Sequence, residues 1–247
     1  AVLDPKRNDC SYPFDELCGC GIGFKLIQAY AEKNKLNAEK IYDQLDLVAV
    51  SIASDLVPIT GENRILAKFG CDRINQNPRA GIKALMSELK LSRNLDITDL
   101  VFIIGPRINA AGRIAHGSEA VTLLIENDYD VAIEKTKKVQ QNNTDRKTID
   151  KDITDEAFAM IDNNETLIHK KTTVLYQEHW HKGVVGIVAS RMIEKYYRPT
   201  IILASSNGKG VGSGRSVPGF DLYDAIDSCS EHLVQFGGHK YAAGLTI

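Results

Sequence analysis

The spacing of apolar residues changes near residue 172 and divides the chain into a helical part and an α/β part. In the first part the period is that of helices. Ile22, Leu26, Ile27, Tyr30 and Ala31 share one face of a predicted helix over 21–34, after an irregular stretch that holds Pro5, Pro13 and Gly19. Leu45, Val48, Ala49 and Ile52 recur at i, i+3, i+4 and i+7 and predict a buried helix, ended by Pro58 just after Asp55 and Leu56. Gly61 to Arg64 predicts a turn into a helix over 65–75, which Asn77-Pro78 breaks, and a third helix covers 81–89. Val101 to Ile104 predicts a short strand or a buried helix end, broken by Gly105-Pro106. Ser118 is placed to cap a short helix over 119–126.

Residues 129–162 are long and mostly polar. Gln140 to Lys147 holds no apolar residue, and regular spacing returns at Ile149, Ile153, Ala157 and Ile161. A helix polar all round in its middle bridges solvent, so this stretch predicts a connecting helix with its charges on a solvated face. From Thr172 the pattern is α/β. A strand over 172–176, a helix over 184–197 stopped by Arg198-Pro199, and a strand over 200–204 make a β-α-β unit, expected to be parallel. Asn207-Gly208 signals a hairpin into a return strand over 209–216. Asp221 caps a helix through about residue 233, and Gly237-Gly238 leads to a last strand near Leu245. The fold class is therefore α/β, with two domains joined by a long helix. A mostly helical domain covers 1–126, the connector 127–164, and a smaller α/β domain with a mixed sheet 165–247.

Composition narrows function only slightly. The formal net charge of −2 lacks the bulk basicity typical of nucleic-acid binders. No apolar run approaches the ~18 residues of a membrane helix, and Asp4-Pro5-Lys6-Arg7 interrupts any leader-like segment, so a cytoplasmic protein with no membrane partner is expected. Cys10, Cys18 and Cys20 are not at zinc spacing and predict reduced thiols.

Two stretches carry candidate chemistry. Gly105 to Arg113, GPRINAAGR, sets Arg107, Asn109 and Arg113 among small residues that let a backbone approach a ligand. Two guanidiniums there suit a phosphate, and a turn with solvated arginines is the alternative. Gly212-Ser213-Gly214-Arg215-Ser216 offers two hydroxyls and a guanidinium among glycines, a phosphate cradle or a glycine-rich edge strand. Trp180, between His179 and His181, either packs on its domain or stacks on a base. Asp55 ends its helix either solvated or aimed into a site.

GPRINAAGR resembles a signature of the RecJ family, single-strand-specific exonucleases of the DHH phosphoesterase superfamily. SDLVPITGENR (54–64), HWHKGVVGIVASR (179–191), GKGVGSGRS (208–216) and FGGHKYAAG (236–244) resemble further segments of that family, in its order. The Asp-His-His triplet that names the superfamily is absent, so the sequence reads as an internal piece of a longer nuclease. The resemblance implies that 1–126 is the C-terminal part of a DHH domain and 165–247 an incomplete DHH-associated domain. It implies Asp55 as a ligand of Mn²⁺ or Mg²⁺ in a two-metal site, incomplete here. It further implies His239 as a catalytic group facing the metal site, and Arg107, Asn109, Arg113, Ser213, Gly214, Arg215 and Ser216 as contacts to single-stranded DNA. The implied activity is 5′-to-3′ hydrolysis of single-stranded DNA, with this piece binding DNA but not cutting it. A non-catalytic single-strand-binding protein, or a phosphodiesterase for short oligonucleotides or cyclic dinucleotides, are the alternatives.

Overall fold

One long helix holds the division between two units, Ala1–Asn143 and Thr144–Ile247, in a computed structural model that describes residues 2–37 and 39–247. The first unit is helical. Its helices are α1 (Gly19–Lys33), α2 (Glu39–Tyr42), α3 (Leu45–Asp55), α4 (Gly61–Gln76), α5 (Ala80–Glu88), α6 (Ile97–Asp99), α7 (Gly105–Ile114), α8 (Ser118–Leu124) and the first part of α9 (Tyr129–Asp162). Apolar residues on several sides of α3, Val48, Ala49, Val50, Ile52 and Ala53, are all buried, so α3 forms the centre of this unit. It lies close on α4 because Gly70 has no side chain: a Cβ there would fall 2.3 Å from the Leu45 carbonyl oxygen. The Asp46 carboxylate is buried at the start of α3 and is gripped by Arg79 Nε and Nη2, each at 2.7 Å.

Three expectations for this unit are corrected. Gly105-Pro106 does not break the apolar stretch before it. Leu100–Ile104 is a π-helical turn that runs directly into α7, with the Gly105 N–H donating to Leu100 O. Pro106 is the second residue of α7, which follows directly on this π turn. The arginine-bearing signature is therefore a helix and not a turn. Helix α4 begins at Gly61, one turn before the predicted start, and Ser118 is the first residue of α8 and not its cap; its N–H takes His116 Nδ1 instead.

The second unit holds the rest of α9, α10 (Glu165–Ile168), and a five-stranded mixed sheet. The strands are β1 (Thr173–Gln177), β2 (Thr200–Ser206), β3 (Lys209–Arg215), β4 (Gln235–His239) and β5 (Ala242–Thr246), in the order β1-β2-β3-β5-β4. β1 and β2 are parallel and the other pairs antiparallel. Helix α11 (Val185–Tyr196) crosses between β1 and β2 and packs on β2 and β3, while α12 (Leu222–Asp227) packs on β4 and β5.

Here too the structure refines the expectations, and α12 ends at Asp227, short of the expected residue 233. β3 is interior, which removes the alternative of a glycine-rich edge strand. The last strand, β5, lies near Leu245 as expected, but Gly237-Gly238 falls within a further edge strand before it, β4. The middle of α9 is not a solvated face: Asn142, Asn143, Asp150 and Thr154 are buried. Within the second unit Asp150 accepts a 2.8 Å bond from Arg191, which ties α9 to α11. A buried carboxylate without such a partner would strongly disfavour the fold.

Candidate nucleic-acid interface

In the first unit, Asp55 and Asn109 line one cleft of about 420 Å³, with Ser51, Ser54 and Cys20 beside them and Leu47, Val50, Ile108 and Val121 on its walls. Asp55 is the last residue of α3, and Leu56 turns the chain away in the left-handed region at φ 56°. Its carboxylate is exposed there. Two residues one turn apart on α7 grip the residue before it. Gly105 lets the helices approach, since its Cβ would lie 3.2 Å from Ser54 Oγ and 3.3 Å from Ser54 Cα. Asn109 Nδ2 donates to the Ser54 carbonyl oxygen at 2.9 Å. Ser54 Oγ is buried with no hydrogen-bond partner among the described residues. Burial pushes the Cys20 thiol up to about 11, which makes it inert at neutral pH.

The two arginines of the signature differ. Arg107 is half-buried and engaged: Nε donates to Gln140 Oε1 at 2.6 Å and Nη1 to the Ile103 carbonyl at 2.5 Å. Burial holds its guanidinium below the ordinary arginine value. Arg113 lies on the exposed side of α7.

In the second unit the GSGRS stretch is sorted by the two-residue period of β3. Gly212 and Gly214 face α12, where a Cβ would fall 2.9 Å from Leu203 Cδ2 and 2.7 Å from Leu222 Cδ2 respectively. These glycines make room for leucines, and Gly214 is buried in that packing. Ser213 and Arg215 point to the opposite face, against α11, where Arg215 Nη1 donates to Ser213 Oγ at 2.9 Å and to the Gly214 carbonyl at 2.8 Å. Ser216 follows the strand and its hydroxyl donates to the Phe220 carbonyl at 2.9 Å.

Register brings His239 into line with this pair. Arg215 is opposite Ala242, and Ala242 is opposite His239. Residues directly opposite on adjacent strands share a face, so Arg215 and His239 flank Ala242 at about two strand spacings, roughly 10 Å. The next row is Ser213, Gly244 and Gly237. A Cβ on Gly237 would meet nothing within 4 Å and one on Gly244 only a carbonyl at 3.9 Å, so this part of the sheet is an open, side-chain-free floor. Sequence reasoning did not single out Gly244 and Ala242, whose place in this row arises only from strand order. Trp180, by contrast, is buried, and its indole N–H donates to Glu156 Oε2 at 2.7 Å, so it does not present a stacking face.

Among the described residues no group of three His, Cys, Asp or Glu side chains is arranged to hold a metal ion. Oxygen donors such as the Asp55 carboxylate suit a hard divalent cation, but one carboxylate does not make a two-metal site.

The model of the DHHA1 domain family matches residues 169–247. Over its whole length the chain is 38% identical to the single-stranded-DNA-specific exonuclease RecJ of Bacillus subtilis (strain 168), of which it spans 31%. It is likewise 38% identical to the protein of the same name from Haemophilus influenzae, of which it spans 46%. RecJ from Thermus thermophilus in complex with Mn²⁺ superposes with a TM-score of 0.84 at 30% identity, over 96% of this chain and 34% of that one. Its complex with Mg²⁺ gives 0.82 at 29% identity, over 96% of this chain and 36% of that one. Along its whole length in sequence, and over 96% of it in backbone, the chain is similar to RecJ exonucleases, and it spans less than half of each of these relatives.

Proposed function

We propose that this chain is the strand-holding part of a metal-dependent exonuclease that degrades single-stranded DNA from its 5′ end in the cytoplasm. The observation that supports this best is the face formed by Ser213, Arg215 and His239 around the floor of Ala242, Gly244 and Gly237. A guanidinium and a hydroxyl on one side suit a phosphate, an imidazole on the other can hydrogen-bond a second phosphate oxygen, and the floor lets a sugar-phosphate chain lie close. Ser216 extends the row along the strand, and Gly214 acts indirectly, by seating β3. In the first unit Asp55 supplies one metal ligand, Asn109 fixes the turn that carries it, and Arg107 and Arg113 add positive charge to α7. A bound Mn²⁺ or Mg²⁺ would supply Lewis-acid activation of water and phosphate oxygens. With one carboxylate in place, the chain by itself is expected to bind and not to cut.

The test is titration of labelled 5′-phosphorylated single-stranded DNA with this chain in the presence of Mn²⁺, reading binding and cleavage together. Binding without cleavage, weakened by Arg215→Ala, is the expected result. Cleavage by the pure chain would contradict the ligand inventory, and absence of binding would contradict the reading of the sheet face. Equal binding of single strands and cyclic dinucleotides would favour the small-substrate alternative.

A further inference from the structure

We propose that Gly186, in the first turn of α11, is a positioning residue that sets where the Ser213 hydroxyl and the Arg215 guanidinium stand. Gly186 is buried inside a helix, a place where glycine is the poorest choice short of proline. No turn demands it, because α11 runs on unbroken to Tyr196. What demands it is its two neighbours. A Cβ at 186 would lie 3.0 Å from Arg215 Nη2, 3.0 Å from Ser213 Oγ and 3.5 Å from Ser213 Cβ. Both groups belong to the polar face of β3, and they are joined to each other by the 2.9 Å bond from Arg215 Nη1 to Ser213 Oγ. The missing methyl is therefore the space in which this pair sits. The adjoining helix is otherwise close-packed on the sheet through Val185, Val188, Ala189 and Met192, all buried, so it does not back away to make room.

A methyl group at 186 has little to collide with except the tip of a long side chain and a hydroxyl. Both give by a few tenths of an ångström at small cost to folding. Alanine also favours the helix. The substitution thus separates stability from recognition: the fold is kept or strengthened while the phosphate contact is moved. Gly210 on the same strand is the control, since its Cβ would meet only ordinary contacts at 3.9 Å.

This inference rests on the reading of Ser213 and Arg215 as contacts to a strand's phosphate, and the experiment separates the two. Binding of a 5′-phosphorylated single-stranded oligonucleotide is measured for the unaltered chain, Gly186→Ala, Arg215→Ala, the double variant and Gly210→Ala, beside thermal unfolding and the side-chain Nε–H resonance of Arg215. Gly186→Ala is expected to bind about threefold or more weakly, with a midpoint of unfolding unchanged or raised and the Arg215 resonance shifted. In the Arg215→Ala background the Gly186 substitution is expected to lose most of its effect, because its main partner is gone. Gly210→Ala is expected to bind as the unaltered chain does. If Arg215→Ala weakens binding and Gly186→Ala does not, the inference is overturned and the reading stands. If Arg215→Ala binds normally, both fall. Unfolding of Gly186→Ala, or full additivity in the double variant, also overturns the inference, since either would make glycine a requirement of helix packing alone.

Discussion

Helix α7 and strand β3 look alike in sequence, arginines among small residues, and the fold uses them in opposite ways. On α7 the small residues and the polar ones work together as scaffold. Gly105 and Asn109 both press on Ser54, and Arg107 commits its donors to Gln140 and the Ile103 carbonyl. On β3 the strand period separates the two tasks. The glycines take the leucine-lined face and the polar residues take the other. A helix turns its side chains through all directions and can clamp several neighbours at once. A strand has only two faces, so its packing glycines and its polar side chains are kept apart. The motif whose polar side chains lie on a face of their own is the better candidate for contact with substrate.

That contrast can be broken by substitution. The largest loss of stability is expected for Gly214→Ala, whose methyl would press on Leu222 Cδ2 at 2.7 Å and Ile201 Cγ1 at 3.3 Å inside the core. Overpacking of this kind costs ~1–3 kcal/mol, read as a lowered midpoint in denaturant. Arg107→Ala comes next. It removes the bonds that Arg107 donates to Gln140 and to the Ile103 carbonyl and is expected to cost about 1–2 kcal/mol. Asn109→Ala removes one hydrogen bond, worth roughly 0.5–1.5 kcal/mol, and hydrogen exchange is expected to rise selectively in the last turn of α3, residues 53–56. If exchange there is unchanged, Asn109 does not hold the turn that carries Asp55.

The smallest effect concerns pH. Lys135, and then the amides of Asp128 and Asn127, hold the Glu126 carboxyl down to about 2 from an ordinary 4.5. A carboxyl depressed in the folded state adds stability above its unfolded value, and this is lost as pH falls through the folded one. The difference in unfolding midpoint between the unaltered chain and Glu126→Gln is expected to shrink between about pH 5 and about pH 2. A constant difference across that range would mean that the Lys135 contact does not matter in solution.

Much of this architecture was legible in the spacing of apolar residues. Helix α3 and the parallel β1-α11-β2 unit follow from periodicity because their core faces are continuous. The rest was hidden for identifiable reasons. Gly105-Pro106 has the composition of a break, but a π turn ahead of it carries the helix through into α7. Asp150 and Asn142 have the composition of a solvated face, and become interior only through Arg191 and Glu119 far along the chain. The row from Arg215 to His239 could not be read at all, since it depends on β5 inserting between β3 and β4. Asp55 was named by resemblance, and geometry adds that Asn109 stands beside it in one cleft.

The most direct test of the contrast is to compare Arg107→Ala with Arg215→Ala in parallel, measuring thermal unfolding and affinity for a 5′-phosphorylated single strand on the same samples. Arg215→Ala is expected to lose about tenfold or more in affinity, as for loss of a charged contact to phosphate, with a midpoint lowered less than that of Arg107→Ala. Arg107→Ala is expected to lower the midpoint and to change affinity less. The reverse pattern, binding lost with Arg107 and stability lost with Arg215, would contradict the assignment of β3 as the strand-contacting motif.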